Sequence, residues 1–231
     1  MQVNSTLSVK TFDVGPMLNI IYLVWDKKTK EAALVDPAWN LNPVLNFIKE
    51  NNLNLKKILL THSHHDHVNA VDKLLHLNDI PIYINKIEAN FWGKKYDNLI
   101  GLGSEEKINL GKSQLTSIHT PGHTPGSCCY SFYNSLIAGD TLFVFGCGRC
   151  DLHGGSPEQM FESLKNLKNN LHKDTIIMPG HNYSIRRQST LEEEINGNPF
   201  FSFNNLKDFV SYRMHDHDKT RQEPYAPIKF S

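Results

Sequence analysis

The sequence predicts an α/β fold in which β-sheets pack face to face with helices outside, and three observations support this prediction. Segments typical of strands precede segments typical of helices, and this order occurs twice along the chain. Polar residues of the kind that carry chemistry follow directly after several predicted strands. A chain of 231 residues can bury a large core in one domain. The pattern alone also allows other α/β layerings.

Alternating or continuous apolar residues predict the strands. In chain order, the predicted strands are residues 7–12, 18–24, 31–36, 57–60 and 81–84. Helical spacing of apolar residues and start signals predict the helices. In chain order, the predicted helices are residues 43–51, 68–77, 157–169, 191–194 and 206–210.

Two of these helices carry explicit start signals. Asn42 is predicted to cap the helix that begins at Pro43, and Ser156 to cap the helix that begins at Pro157. The polar segment 215–218, His-Asp-His-Asp, lacks apolar flanks, so we expect a solvated turn there rather than a metal site.

The run Thr61-His62-Ser63-His64-His65-Asp66-His67 contains four imidazoles and one carboxylate immediately after a predicted buried strand. Imidazole nitrogens and carboxylate oxygens are ligands that zinc and similar divalent metals prefer. A single histidine is more often an ordinary polar side chain, but so dense a group would be crowded without a cation to organise it. The run therefore predicts a metal site, and its spacing allows it to begin two sites.

Three later segments share one form, in which an apolar run is followed by a tight turn and then by a histidine or an aspartate. Glycine and proline supply such turns at strand ends, so each segment places a polar residue at the rim of the core. The residues are His123 in Thr120-Pro121-Gly122-His123, Asp140 in Ala138-Gly139-Asp140-Thr141, and His181 in Met178-Pro179-Gly180-His181. Together with the histidine run, they predict a complete metal centre.

These motifs resemble the metal-ligand pattern of the metallo-β-lactamase-fold hydrolases, over residues 14–199. The flanking segments 120–127, 139–143 and 146–149 are similar to those of the glyoxalase II, or hydroxyacylglutathione hydrolase, branch. The resemblance implies a four-layer αββα metallo-β-lactamase sandwich. It implies a catalytic domain over residues 1–187 and a short C-terminal helical extension, residues 188–231, packed on the same domain.

The resemblance also implies a role for each matching residue. His62, His64 and His123 would hold one divalent metal, and Asp66, His67 and His181 would hold a second, with Asp140 bridging the two. A pair of metals about 3.5–4 Å apart lowers the pKa of a bridging water, so hydroxide forms at neutral pH and attacks a carbonyl. The implied catalytic carboxylates are Asp66 and Asp140. Zinc is the expected metal, and the same ligands suit iron or manganese.

The implied reaction is hydrolysis of an acyl thioester of the S-2-hydroxyacylglutathione type, because a thiolate leaves without much acid assistance. Arg149 and Tyr183 occupy positions at which glyoxalase II enzymes bind glutathione. Asp151 departs from that pattern, because the family has a tyrosine there. Hydrolysis of a thioester that lacks glutathione is therefore one alternative.

A second alternative is a persulfide dioxygenase, which shares the fold and the first motif. Those enzymes hold a single iron with two histidines and one aspartate, which correspond here to His62, His123 and Asp140. They also carry the Gly-Cys-Gly-Arg-x-Asp motif found at residues 146–151. The ligands alone leave this sulfur-oxidising chemistry open.

Composition narrows the classes of partner and compartment. Lys plus Arg equals Asp plus Glu at 24 each, so no basic surface for nucleic acid is predicted. No apolar stretch is long enough to span a bilayer and the N-terminus lacks a leader, so we expect a cytoplasmic protein without a membrane partner. We expect the four cysteines to be free thiols, with at least one of Cys128 and Cys129 in the core and with Cys147 and Cys150 near a substrate loop. The pattern predicts no oligomeric state.

Overall fold

The computed structural model describes residues 6–77 and 79–228, and it divides between Ser117 and Ile118 into two compact units. Each unit contains strands and helices, which confirms the α/β class. The first unit holds β1 (Leu7–Val14), β2 (Asn19–Asp26), β3 (Glu31–Val35), α1 (Asn42–Glu50), β4 (Asn54–Leu59), α2 (His65–Val68), α3 (Val71–Leu75), β5 (Ile82–Asn85), α4 (Lys86–Trp92), β6 (Leu99–Leu102), β7 (Lys107–Leu110) and most of β8 (Ser113–His119). The boundary near residue 188 stays a prediction.

The first unit is organised by a six-stranded sheet in the order β1-β2-β3-β4-β5-β6. Strands β1 to β3 pair antiparallel, whereas β3 to β6 pair parallel. The parallel strands are rich in buried aliphatic residues, as expected for strands covered by helices. Leu34 and Ile58 of the sheet pack in one core with Val44 of α1 and Leu74 of α3.

The second unit is organised by a mixed sheet in the order β14-β13-β10-β9, and β8 follows β9 in that order. Strands β10 and β13 pair parallel, and their neighbours β9 and β14 pair antiparallel to them. The elements of this unit are β9 (Cys128–Phe132), β10 (Ser135–Gly139), β11 (Leu142–Phe143), β12 (Gly146–Cys147), α5 (Pro157–Asn170), β13 (Ile176–Pro179), β14 (Ser189–Thr190), α6 (Leu191–Gly197), a 3-10 helix (Pro199–Phe201), α7 (Leu206–Ser211), a π-helical turn (Tyr212–Asp216) and α8 (His217–Thr220).

Helix α5 confirms the predicted start at Pro157 and its cap. The Ser156 hydroxyl accepts a hydrogen bond from the backbone N–H of Gln159 at 3.2 Å, which satisfies one of the donors left open in a first turn. The predicted apolar stripe is buried, with Met160, Leu164 and Leu167 in the core of the second unit.

Two predictions about helices in the first unit were wrong. The helix expected over residues 68–77 is two short helices, α2 and α3, because the N–H of Ala70 donates to the carbonyl of Pro37 instead of continuing α2. The cap of α1 is Leu41 rather than Asn42, and Pro43 lies at the second helical position, where its missing N–H costs no helical bond.

The solvated turn expected at residues 215–218 was also wrong. The segment is helical, and His217 is 1% exposed. Arg213 donates to Nδ1 of His217 at 2.8 Å, and burial together with the Arg213 charge lowers the pKa of His217 to about 4. This neutral imidazole packs among aromatic rings of Phe200, Tyr212 and Tyr225.

All four cysteines are free and buried, which confirms the predicted core thiol in β9. Burial raises the pKa of Cys129 to about 11 and that of Cys150 to about 12. These thiols therefore stay protonated at neutral pH and pack as small apolar groups. Within the described ranges, no helix has both the length and the hydrophobicity needed to cross a membrane.

A buried carboxylate ties two turns of the first unit together. Asp26 accepts hydrogen bonds from the N–H groups of Lys28 and Thr29, and from the N–H of Lys112 and the hydroxyl of Ser113. Burial raises its pKa, but these donors outweigh burial and lower the pKa to about 2. The turn at Gly111 requires glycine, because a Cβ there would lie 2.0 Å from the Thr29 hydroxyl oxygen.

We expect Asp26→Asn to lower the free energy of unfolding by about 1–3 kcal/mol at neutral pH, because an amide has one acceptor oxygen and turns its NH₂ toward donors. The native carboxylate titrates near 2 instead of its ordinary 3.8. Its contribution is therefore complete above 3.8 and is lost as the pH falls toward 2. Urea unfolding of wild type and variant across this range measures the difference, with the exposed Asp97→Asn as control. A pH-independent difference would contradict the prediction.

Candidate functional site

In the first unit, the predicted ligand run begins where two parallel strands end side by side. Strands β3 and β4 are neighbours, and the N–H of Asp36 donates to the carbonyl of Leu59 at 3.0 Å. Asp36 therefore lies beside Thr61 at the start of the run. The carboxyl ends of parallel strands are where α/β proteins commonly place their functional groups.

The histidine run folds into a compact cluster of side chains. The rings of His62 and His64 lie 4.9 Å apart and those of His62 and His67 lie 4.2 Å apart. Oδ2 of Asp66 lies 3.5 Å from Nε2 of His67. His62 and His67 are buried, whereas His64 and Asp66 are partly exposed. The first unit thus brings together four of the predicted metal ligands.

Asp36 supports this cluster through three accepted hydrogen bonds. Its Oδ1 accepts from the N–H of Thr61 at 2.8 Å, and its Oδ2 accepts from the Thr61 hydroxyl at 2.6 Å and from Nδ1 of His67 at 3.0 Å. The residue has a positive φ of 52°, which aspartate tolerates in turns. Asp36 is therefore both a turn residue and the acceptor that orients the His67 ring.

Glu88 is a second support for this cluster, and the sequence pattern did not predict it. Its carboxylate is completely buried and accepts from both the N–H and the hydroxyl of Ser63, at 2.8 and 2.6 Å. Ser63 lies between His62 and His64, so Glu88 fixes the backbone that carries both imidazoles. The only local signal, Asn85 followed three residues later by Glu88, resembles a helix capping box and points away from this role.

In the second unit, Asp140 and His181 also follow neighbouring parallel strands. Asp140 comes directly after β10 and His181 two residues after β13, and the N–H of Gly180 donates to the carbonyl of Gly139. Oδ2 of Asp140 lies 3.3 Å from Nε2 of His181 and 3.5 Å from Nε2 of His123. The unit therefore brings one carboxylate between two imidazoles.

The segment after β12 positions His123 by accepting a hydrogen bond from its Nδ1. Nδ1 of His123 donates to the backbone carbonyl of Arg149 at 2.7 Å. Gly148 permits this approach, because a Cβ there would lie 1.9 Å from the carbonyl oxygen of Asp140 and 3.1 Å from the His123 ring. Close packing therefore explains why the second glycine of the Gly-Cys-Gly-Arg motif, Gly148, has no side chain.

The hydrogen bonds select one tautomer for three of the histidines. Nδ1 of His123 faces a carbonyl and Nδ1 of His67 faces a carboxylate, and neither partner can donate. The Thr61 hydroxyl gives its proton to Asp36, so it accepts from Nδ1 of His62 at 3.1 Å. In the neutral imidazoles the proton is therefore on Nδ1, and Nε2 is the acceptor nitrogen.

This tautomer leaves acceptor atoms facing one another. Nε2 of His67 faces Oδ2 of Asp66 at 3.5 Å in the first unit, and Nε2 of His123 faces Oδ2 of Asp140 at 3.5 Å in the second. Two lone-pair atoms held this close repel each other, and a cation between them removes that repulsion. Imidazole nitrogens and carboxylate oxygens suit a divalent metal, so in each unit the residues present fit metal binding.

The two predicted substrate residues have different surroundings. Tyr183 is stacked on the His181 ring at 4.6 Å and contacts the ring of Phe143 edge-on at 5.4 Å. Its backbone carbonyl accepts from the N–H of Tyr225, so the end of the chain holds it in place. Arg149 is exposed and forms a two-point ion pair with Asp151, with bonds of 2.8 Å (Nε to Oδ1) and 2.6 Å (Nη2 to Oδ2).

Glu194 fixes the segment that carries Phe143. This buried carboxylate of α6 accepts from the N–H of Phe145, the hydroxyl of Ser189 and the amide of Asn198. Burial outweighs these hydrogen bonds and raises the pKa of Glu194 to about 7. The sequence indicated only that this residue lies on a helix.

The chain is similar to a known protein family and to several of its members. The metallo-beta-lactamase superfamily model matches residues 15–181. The probable polyketide biosynthesis zinc-dependent hydrolase PksB of Bacillus subtilis is 33% identical over 201 residues, covering 87% of this chain and 89% of that protein. Hydroxyacylglutathione hydrolase of Erwinia tasmaniensis is 41% identical over 153 residues, covering 66% and 57%. The crystal structure of ETHE1 from Myxococcus xanthus matches with a TM-score of 0.82 at 24% identity and 90% coverage of both chains, which confirms the fold.

We expect NMR of the metal-free protein to show the Nδ1–H tautomer for His62, His67 and His123. Long-range proton–nitrogen correlations distinguish the two ring nitrogens. Thr61→Val removes the acceptor of His62, so that ring alone should become a mixture of tautomers. A dominant Nε2–H form in the wild type would contradict this arrangement.

Proposed function

The chain belongs to the metallo-β-lactamase superfamily, and on that basis we propose that it is a metal-dependent hydrolase of acyl thioesters. The observation that carries the proposal is the pair of imidazole nitrogens fixed as acceptors opposite Asp66 and Asp140. Groups arranged in this way are suited to hold divalent cations, and the relatives named hydrolases include one that is named zinc-dependent.

We propose two metal positions, with zinc as the expected ion. The family match spans all the proposed ligands, and hydrogen bonds to Asp36 and Arg149 orient the imidazoles of His67 and His123. Such outer partners raise the basicity of ligand histidines. The first set is His62, His64 and His123, the second is Asp66, His67 and His181, and Asp140 is the shared carboxylate.

When bound, the metals would lower the pKa of a water and polarise the substrate carbonyl. The protein itself supplies carboxylate charges at fixed positions and keeps the imidazoles in fixed orientations. Asp140 is 8% exposed, so its carboxylate has little water to screen its charge. Asp66 and Asp140 are the proposed catalytic carboxylates beside the reacting atoms. A thioester suits this site, because a thiolate leaves without a dedicated proton donor.

The ion pair between Arg149 and Asp151 bears on which thiol carrier the site binds. Their two-point pair occupies the guanidinium fork that would otherwise bind a substrate carboxylate. The hydrogen bond from Arg149 lowers the pKa of Asp151 to about 2, so the pair stays ionised at neutral pH. Both side chains are about half exposed, and the pair can therefore exchange partners. This arrangement favours a thioester whose carrier lacks a carboxylate at this point over a glutathione thioester.

Tyr183, Phe143 and Tyr225 form an aromatic cluster next to His181, and of these three rings that of Tyr183 is partly exposed whereas the other two are buried. Flat apolar rings bind acyl or pantetheine-like chains without requiring a charge. We propose that Tyr183 contacts the substrate, and that Tyr225 holds it through the backbone hydrogen bond to the Tyr183 carbonyl.

We expect the purified, metal-loaded protein to release thiol from acyl thioesters, and Asp140→Ala to abolish turnover while the fold is retained. The activity should also disappear on chelation. Thiol release from S-lactoylglutathione and from an acyl N-acetylcysteamine thioester measures turnover, and circular dichroism checks the fold. The exposed Asp174→Ala is the matched control. Substantial activity in Asp140→Ala would refute the two-metal proposal.

We expect Asp151→Asn to raise kcat/KM for S-lactoylglutathione by about tenfold, equivalent to about 1.4 kcal/mol, because it releases the Arg149 fork for a carboxylate. The value for the uncharged N-acetylcysteamine thioester should stay unchanged. Equal changes for both substrates would show that Asp151 acts on the fold of the segment rather than on the carrier.

The persulfide dioxygenase alternative uses only His62, His123 and Asp140. It is tested on the same preparation by oxygen uptake with glutathione persulfide after loading with ferrous iron. Oxygen consumption without thioester hydrolysis in either metal form would replace the hydrolase proposal.

A further inference from the structure

A chain of hydrogen bonds in the first unit connects an indole to a proposed metal ligand. Nε1 of Trp39 donates to Oδ1 of Asn19 at 2.8 Å. Nδ2 of Asn19 donates to Oδ2 of Asp66 at 2.9 Å and to the backbone carbonyl of Asp66 at 3.1 Å. Asn19 is 1% exposed, so water does not compete for these bonds.

The direction of this chain follows from the chemistry of its two ends. An indole N–H can only donate, so the Asn19 atom that faces Trp39 must be the carbonyl oxygen. A carboxylate and a backbone carbonyl can only accept, so the atom that faces Asp66 must be the amide nitrogen. Both ends require the same amide orientation, and a flipped amide would lose all three bonds.

Asn19 restrains both the side chain and the backbone of Asp66. One amide N–H limits rotation of the carboxylate, and the other holds the carbonyl in the short helix α2. The restrained oxygen, Oδ2, is the one that lies 3.5 Å from Nε2 of His67. A neutral amide does this without cancelling the negative charge, whereas a lysine or arginine would repel an incoming cation.

Trp39 is itself firmly held. Its backbone N–H donates to Oδ1 of Asn69 at 2.6 Å, and its φ is 59°. Its ring packs on the backbone at Gly15, where an added Cβ would lie 2.4 Å from the ring. The indole N–H therefore has a fixed position from which to orient the amide.

We propose that Asn19 is a positioning residue for Asp66 and that Trp39 sets the orientation of Asn19. Occupancy of the metal position that uses Asp66 and His67 then depends on an N–H donor that bonds to neither ligand. This inference rests on the proposed metal centre. Asn19 would be a third support for the cluster, besides Asp36 and Glu88, and the sequence pattern did not predict it.

The test is zinc binding by three variants of the full-length protein. Asn19→Leu is close in size but has no polar atom, and Trp39→Phe removes the N–H while retaining an aromatic ring on Gly15. Trp25→Phe is the matched control, because Trp25 is a half-buried tryptophan of the same unit that packs on Phe47. Metal-free protein is titrated with zinc against a chromophoric chelator, and urea unfolding of the metal-free form is measured in parallel.

We expect Asn19→Leu to weaken one of two zinc-binding steps by about 10–100-fold and to leave the other unchanged. Trp39→Phe should weaken the same step by a smaller factor, and Trp25→Phe should change neither. General destabilisation would weaken the first zinc-binding step only by the fraction of the metal-free form that is unfolded, which the urea measurement gives. A larger loss at one step therefore requires a change at the site itself.

Unchanged zinc binding in Asn19→Leu and Trp39→Phe would refute the positioning role and leave the metal centre standing. A loss no larger than the unfolded fraction of the metal-free form accounts for would also refute it, in favour of a structural role. A wild-type protein that takes up no zinc would refute the metal centre and this inference together.

Discussion

The buried carboxylate of Asp36 is the constraint on which the first unit's ligand cluster depends. A carboxylate that is 3% exposed must have its oxygens satisfied by donors, and here the donors are the backbone and hydroxyl of Thr61 and the ring of His67. The Asp36 carboxylate therefore fixes the backbone at the point where β4 ends and the loop begins. It also determines the tautomer of His67 directly, and that of His62 through the Thr61 hydroxyl. Parallel pairing of β3 with β4 brings Asp36 to this place.

In the second unit a backbone atom, rather than a carboxylate, orients the imidazole. There the carbonyl of Arg149 orients His123, and the close approach at Gly148 makes that contact possible. The two units thus orient imidazole nitrogens by different means, with a buried carboxylate in the first and a backbone carbonyl in the second. A carbonyl carries no net charge, so this support leaves the charge of Asp140 undiminished.

The sequence predicted those features whose determinants lie close together in the chain. Helix α5 was predicted with its cap, because Ser156 and Pro157 act within one turn. The strands β1 to β5 were predicted from local patterns of apolar side chains, and the candidate ligand residues from local patterns of metal-binding side chains. The family resemblance then decided among the α/β layerings that pattern alone allowed, and the superfamily match bears out that decision.

The features that the sequence did not predict depend on partners far along the chain. Glu88 and Asn19 are ordinary polar residues until the fold brings them to Ser63 and Asp66. The break between α2 and α3 depends on the carbonyl of Pro37. His217 became a buried residue because aromatic side chains from other elements surround it.

The contacts of Asp26 have a consequence for how the chain is synthesised. Its carboxylate accepts from Lys112 and Ser113, 86 and 87 residues later in the chain. During translation these hydrogen bonds cannot form until the β7–β8 hairpin, which carries Lys112 and Ser113, has left the ribosome. The β1–β2 hairpin, in contrast, can pair as soon as it emerges. The nascent chain therefore passes through a stage in which the ligand loop is already synthesised but the unit that supports it is still incomplete.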